Sequence, residues 1–156
     1  EEHDPLELDT QAGLMKTATT MAVWGYSEFQ QELANRAIKL AEANPAYPTI
    51  IGTSATALTS VGLHKLAIEY ADQAIATEAT TRPWSKAWYA KGRALYELGR
   101  EDEAIEVLIT ATEKEPGAEG AILSHQILSQ IYKAQGDDDR YNLHAELGQV
   151  DITVQE

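Results

Sequence analysis

Four histidines (His3, His64, His125, His144), the run Asp137-Asp138-Asp139 and the turn Glu101-Asp102-Glu103 are the side chains of this 156-residue chain best suited to metal binding or proton transfer. Their spacing supports neither. His125 stands eleven residues before Gly136 and His144 eight after it. Those distances differ by about one helical turn, so the two rings are not expected to meet. A metal also needs a third ligand that the spacing does not supply, and core or surface roles are expected for all four. The triple aspartate lacks the spaced oxygens of a calcium loop and reads as a helix start. Glu106 and Glu113 are expected to face solvent, and no two carboxylates share a water-excluded place where acid–base catalysis could run. There is no phosphate-cradling glycine loop, zinc-protease helix or glycine-flanked nucleophile. With no cysteine in the chain, disulfides and thiolate–metal sites are excluded. The expectation is a protein that is not an enzyme, with no cofactor and no metal.

The elements that position these residues follow from a period. Gly25, Gly62, Gly99 and Gly136 stand 37 residues apart, each after an apolar, helix-like stretch. A fixed period of this size marks a repeat architecture. Stepping by the period aligns further columns: Ala18, Ala55, Gly92 and Ser129 seven before each glycine; Ala34, Ala71, Leu108 and Ala145 nine after; Ala37, Ala74, Ala111 and Gly148 twelve after. Spacings of three, four and seven place such residues on one helix face, and small side chains let two helix backbones approach closely. Glycine after the first helix supplies the positive φ that ends it. Each repeat therefore reads as helix A, a glycine turn and helix B. Helices are expected at about 9–24, 27–44, 48–61, 64–78, 84–98, 101–115, 120–135 and 138–148. Ser27 with Gln30 has the form of a capping box, and Asp137 to Asp139 offer N-cap carboxylates. The tail 150–154 alternates apolar and polar residues and reads as a strand or a frayed end. Gln31 and Asn142 replace the apolar Ile68 and Ile105 of the inner copies, the wetter outer repeats that a finite solenoid needs.

Residues 85–116 resemble the tetratricopeptide repeat: Trp88, Gly92, Leu95, Gly99, Ala104, Leu108, Ala111 and Pro116 fall where that family's signature places them, with Lys91 in place of the usual leucine. The second copy (Ile51, Ala55, Leu58, Gly62, Ala67, Ala71, Ala74) is good and the outer two are degenerate. The resemblance implies an all-α fold, a right-handed α-solenoid of four helix-turn-helix repeats at about 11–47, 48–84, 85–121 and 122–148. An acidic arm, 1–9, precedes this 10–148 domain and a tail, 149–156, follows it. The period exceeds the family's, which is about 34 residues. The three additional residues are expected between helix B and the next helix A, at Pro45-Ala46-Tyr47, Arg82-Pro83-Trp84 and Glu119-Gly120-Ala121, with Tyr47 and Trp84 packing over the junctions.

The family resemblance further implies that helix A lines an inner groove, which selects Lys16, Thr19, Thr53, Thr56, Lys86, Tyr89, Arg93, Tyr96, Gln126, Gln130 and Lys133, with Glu97 beside them. Four of these are basic in a chain of net charge −13. Lysine and arginine there would hold carboxylates, tyrosines would offer flat apolar area, and the threonines of the second repeat would offer hydroxyl donors. An acidic segment or free C-terminus near Lys86, Tyr89, Arg93 and Lys133 is the expected ligand. The chaperone-adaptor branch of the family clamps a terminal carboxylate with a Lys/Asn/Arg set. Here Met15, Thr53 and Ala90 occupy clamp positions and only Lys86 matches, which argues against that role.

Composition fits this scheme. Apolar residues make up 44% of the chain, enough for a continuous core. The acidic body opposes nucleic acid as a partner, and no run of 18 apolar residues exists to span a membrane. The chain opens Glu-Glu-His-Asp-Pro without an initiator methionine, which reads as a processed or excised chain. A removed export signal gives a lean to the bacterial periplasm or the extracellular space. The leading expectation is a non-catalytic adaptor that holds another protein or peptide. A second is a structural subunit that assembles through its arms, the −5 segment 1–9 entering a neighbour's groove and the tail adding as a strand. A third is an accessory domain of a larger machine or enzyme.

Overall fold

A computed structural model describes residues 27–77 and 85–149 of the chain. Seven α-helices fill these segments, and no strand occurs among the described residues: α1 Ser27–Ala43, α2 Pro48–Ser60, α3 His64–Ala76, α4 Ser85–Glu97, α5 Glu101–Lys114, α6 Glu119–Gln135 and α7 Asp138–Leu147. The expected helix at 9–24, the acidic arm, the junction at 82–84, the strand-like tail, Lys16 and Thr19 all lie outside the described residues, as does the Ser27 side chain of the expected capping box.

Three hairpins, α2–α3, α4–α5 and α6–α7, close on one device. Gly62, Gly99 and Gly136 have φ of 83°, 75° and 73°. In the first, Leu63 N–H donates to Leu58 O at 2.9 Å and Gly62 N–H to Thr59 O at 3.1 Å. The same two bonds recur as Arg100 to Leu95 and Gly99 to Tyr96, and as Asp137 to Tyr132 and Gly136 to Lys133. This double closure satisfies the last carbonyls of the first helix and needs a left-handed residue, which glycine supplies without the clash of a Cβ. The second helix starts at once. Asp137 caps α7, its side chain accepting from Arg140 N–H at 3.0 Å.

Successive first helices stand side by side, α2 against α4 and α4 against α6, while α3 and α5 each bridge two of them. The aligned small residues are the seams. Ala55, Ala67, Ala71, Ala74, Ala104, Ala111 and Ala145 have no exposed surface, and Ala34 and Ala37 are nearly as buried. In the third repeat a Cβ placed on Gly92 would lie 2.6 Å from Leu108 Cγ, so the large residue fills the space that the missing side chain leaves. One core cluster runs from Leu33 through Ile51 and Leu58 to Ala94, and a second joins Leu95, Leu108, Leu128, Ile131 and Tyr132.

Two junction expectations are corrected. Tyr47 does not cover its junction; it is exposed, at the N-cap of α2, with Pro48 opening the helix. Glu119-Gly120-Ala121 is not a linker but the first turn of α6, and the break in the chain comes earlier, at Gly117 with φ 81°. The reason is contact. Gly120 presses on the start of α4, where a Cβ would meet Lys86 N and Ser85 C at 2.5 Å.

Gly120→Ala forces backbone against backbone and should destabilise the fold by about 1–3 kcal/mol. Gly99→Ala, strained in φ but in open space, should lose about 1–2 kcal/mol. Urea unfolding midpoints at constant m-value check both, and the Gly120 variant should be the worse of the two.

Candidate functional site

Helices α4 and α6 run side by side, and their first turns are tied together. Glu115, in the segment leading to α6, accepts from Ser85 N–H at 2.8 Å and from Ser85 Oγ at 3.0 Å, so it caps α4 from the far end of the same repeat. Lys86 Nζ donates to Glu119 Oε2 at 2.8 Å. With Gly120 these contacts fix the distance between the two helices at one end.

Further along, the same two helices line a cleft of about 300 Å³. Tyr89, Arg93, Tyr96 and Glu97 come from α4, and Leu123, Gln126, Ile127 and Gln130 from α6. Each set follows helical spacing, so each is one face of its helix. Tyr96, Leu123 and Ile127 also pack on the second core cluster, which makes the floor apolar and firm. Tyr89 is buried, and its hydroxyl accepts from Arg93 Nη1 at 3.2 Å. That bond orients a guanidinium that has no ion pair among the described residues. By contrast, Arg36, Lys86, Lys91, Arg100 and Arg140 each hold a carboxylate. Gln126 Nε2 donates to Gly148 O at 2.9 Å, which leaves its Oε1 as the amide's acceptor.

The structure thus brings Tyr89, Arg93, Tyr96, Gln126 and Gln130 into one cleft and leaves other expected groove residues aside. The Lys86 charge is spent on Glu119. Lys133 is exposed, with Nζ 5.3 Å from the centre of the Tyr141 ring. The threonine hydroxyls are not free donors. Thr53 bonds Thr49 O at 2.8 Å and Thr56 bonds Gly52 O at 3.0 Å, each satisfied within its own helix.

One cluster was not expected from the sequence. His125 and His144 meet, Nδ1 to Nδ1 at 2.7 Å with ring centroids 5.0 Å apart. An offset of three residues along a helix is about 4.5 Å, a distance that two imidazole side chains span. Burial pushes both imidazoles below the ordinary histidine value, and for His144 the neighbouring His125 and Arg140 push further the same way. No group of three or more metal-binding side chains forms among the described residues.

Residues 85–116, which comprise α4, its turn and α5, match the family model of the tetratricopeptide repeat. The chain carries a tetratricopeptide repeat. A crystal structure of MamA shares the fold with a TM-score of 0.63 and 20% identity, over 94% of this chain and 78% of that one. The architecture is therefore a tetratricopeptide-type helical solenoid. No curated protein matches the sequence.

Since Glu115 is structural and Arg93 makes a single side-chain bond, their removal should separate. Glu115→Ala deprives α4 of its cap and should cost about 1 kcal/mol. Arg93→Met should stay within about 0.5 kcal/mol of the parent. Chemical denaturation of both variants under one set of conditions reads the difference.

Proposed function

We propose that this chain is a non-catalytic protein-interaction scaffold whose 10–148 domain takes an acidic peptide or protein segment in the cleft between α4 and α6. Tetratricopeptide repeats are generally non-catalytic scaffolds, which supports the class of role. The observation that carries the reading is the Arg93 guanidinium, half-buried, oriented by Tyr89 and not ion-paired within the described residues, above an apolar floor. A carboxylate of the incoming segment is the partner that such a group accepts in two parallel bonds. Tyr96, Leu123 and Ile127 supply the apolar contact, and Gln126 and Gln130 offer amides to the segment's backbone. Lys86 and the second-repeat threonines have structural bonds of their own, so the anchor shifts from the Lys86 end of α4 to Arg93. The acidity of the rest of the chain then serves selectivity, repelling acidic segments that miss the cleft.

Selection from a random peptide library displayed on phage, with the purified chain as bait, tests this. Enriched peptides should carry an aspartate or glutamate beside an apolar or aromatic residue. The best of them should lose at least about tenfold in affinity on Arg93→Glu, while Thr53→Val changes nothing. Enrichment of peptides without acidic residues, or equal binding to the Arg93 variant, overturns the proposal.

A further inference from the structure

Among the described residues α7 packs substantially against α6 alone. Its apolar contribution is slight: Ala145 is buried, while Leu143 and Leu147 remain exposed. Polar and aromatic groups make the rest of the joint. The His144 ring stacks on Tyr132 with centroids 5.4 Å apart, the Arg140 guanidinium lies 4.2 Å from the centre of the same ring, and His144 meets His125 nitrogen to nitrogen. At the far end Gly148 seats on the α6 backbone, where a Cβ would come 3.0 Å from Gln126 N, and its carbonyl receives the Gln126 side chain.

A 2.7 Å contact between two Nδ1 atoms requires a hydrogen on one nitrogen and a lone pair on the other. It persists with both rings neutral or with one proton added. With two, both Nδ1 atoms carry hydrogen and the contact becomes repulsive. The groups facing the pair are Tyr132 from α6 and Arg140 from α7, the latter paired with Asp137. No carboxylate among the described residues is paired with either ring, and the charges that act on His144 are those of His125 and of Arg140, the latter shared with Asp137.

We infer that the His125–His144 pair is a proton-operated latch: double protonation releases α7 from α6 and, through Gly148, frees the Gln126 amide at the cleft. The sign follows from linkage. A histidine whose folded value is depressed gives stability that is complete above its unfolded value, about 6.5, and is lost as pH falls from there through the folded value. Asp137 does not confound this. Its carboxyl is held below the usual carboxylate range by the hydrogen bonds from Arg140, so the α7 cap remains ionised while the histidines charge. The consequence for binding rests on the cleft reading above, but the release of α7 does not, because it is measured with no ligand present.

Amide hydrogen exchange of the full chain, followed by NMR and corrected for intrinsic rates, tests the latch. Between pH 7.5 and pH 4.5, protection across 141–148 should fall at least about tenfold while that of α4 holds, and the Gln126 side-chain amide resonances should move over the same range. The His125→Gln/His144→Gln double variant should lose the response. If circular dichroism shows that the double variant does not fold, His144→Gln alone should lose it, since no second ring remains to be charged. Constant protection in the parent, or an undiminished response in the folded variant, overturns the inference.

Discussion

The left-handed glycine that closes each hairpin is the constraint on which the rest of the structure depends. At Gly62, Gly99 and Gly136 the same pair of backbone bonds ends one helix and launches the next within two residues. So short a reversal makes neighbouring helices antiparallel and sets their register. Only with that register fixed do the small residues of each repeat fall on one seam, and only small residues let the helices come close enough to leave Ala55, Ala71 and Ala104 without exposed surface. A slip of one residue at any of the three turns would rotate every later apolar face by about 100° away from its partner. Turn and seam therefore specify one another.

The same geometry explains why the cleft is where it is. First helices of successive repeats lie next to each other, so polar side chains on their shared face compete for partners at short range. At the start of α4 the competition is settled inside the chain by Glu115, Glu119 and the bare backbone of Gly120. One or more turns later the α6 residues opposite are Leu123, Gln126, Ile127 and Gln130, none of them charged. Arg93 therefore finds a tyrosine hydroxyl instead of a carboxylate. The clamp and the cleft are two ends of one helix pair: the first holds the spacing that keeps the second open.

The periodic glycines and small columns made the helices legible in the sequence, because both report on backbone geometry that few residues tolerate. Every described helix lies within two residues of its expected bounds at each end. That Tyr89, Arg93, Tyr96, Gln126 and Gln130 share a groove was implied by the family resemblance, carried onto the chain through the glycine alignment, and the cleft holds all five. Partner choice was not legible. Lys86 is spent on Glu119, the first residue of α6, and that contact depends on Gly120, whose close approach to Ser85 exists only in three dimensions. The threonine hydroxyls turned inward for a local reason, since a helical threonine reaches the carbonyl four residues back. The histidine pair was missed because counting residues from a turn leaves out side-chain reach, which spans an offset of about one helical turn between α6 and α7. A signal did exist: two histidines, one on each helix of a single hairpin, whose counts differ by no more than one turn.

A helix gripped from both sides and one held from a single side differ in a way that bears on control. An inner helix such as α5 is gripped from both sides by apolar seams, and apolar contact does not respond to pH. Among the described residues α7 has one substantial neighbour, α6. Burying leucines there would leave the outer face no less exposed, and α7 keeps Leu143 and Leu147 in solvent while its inner face is aromatic, cationic and imidazole. Such a joint gains little from area and much from the charge state of its members, so its strength is set by proton activity rather than by burial. That the same joint ends on Gln126 connects the part of the fold most open to change with the cleft that the rigid part holds apart.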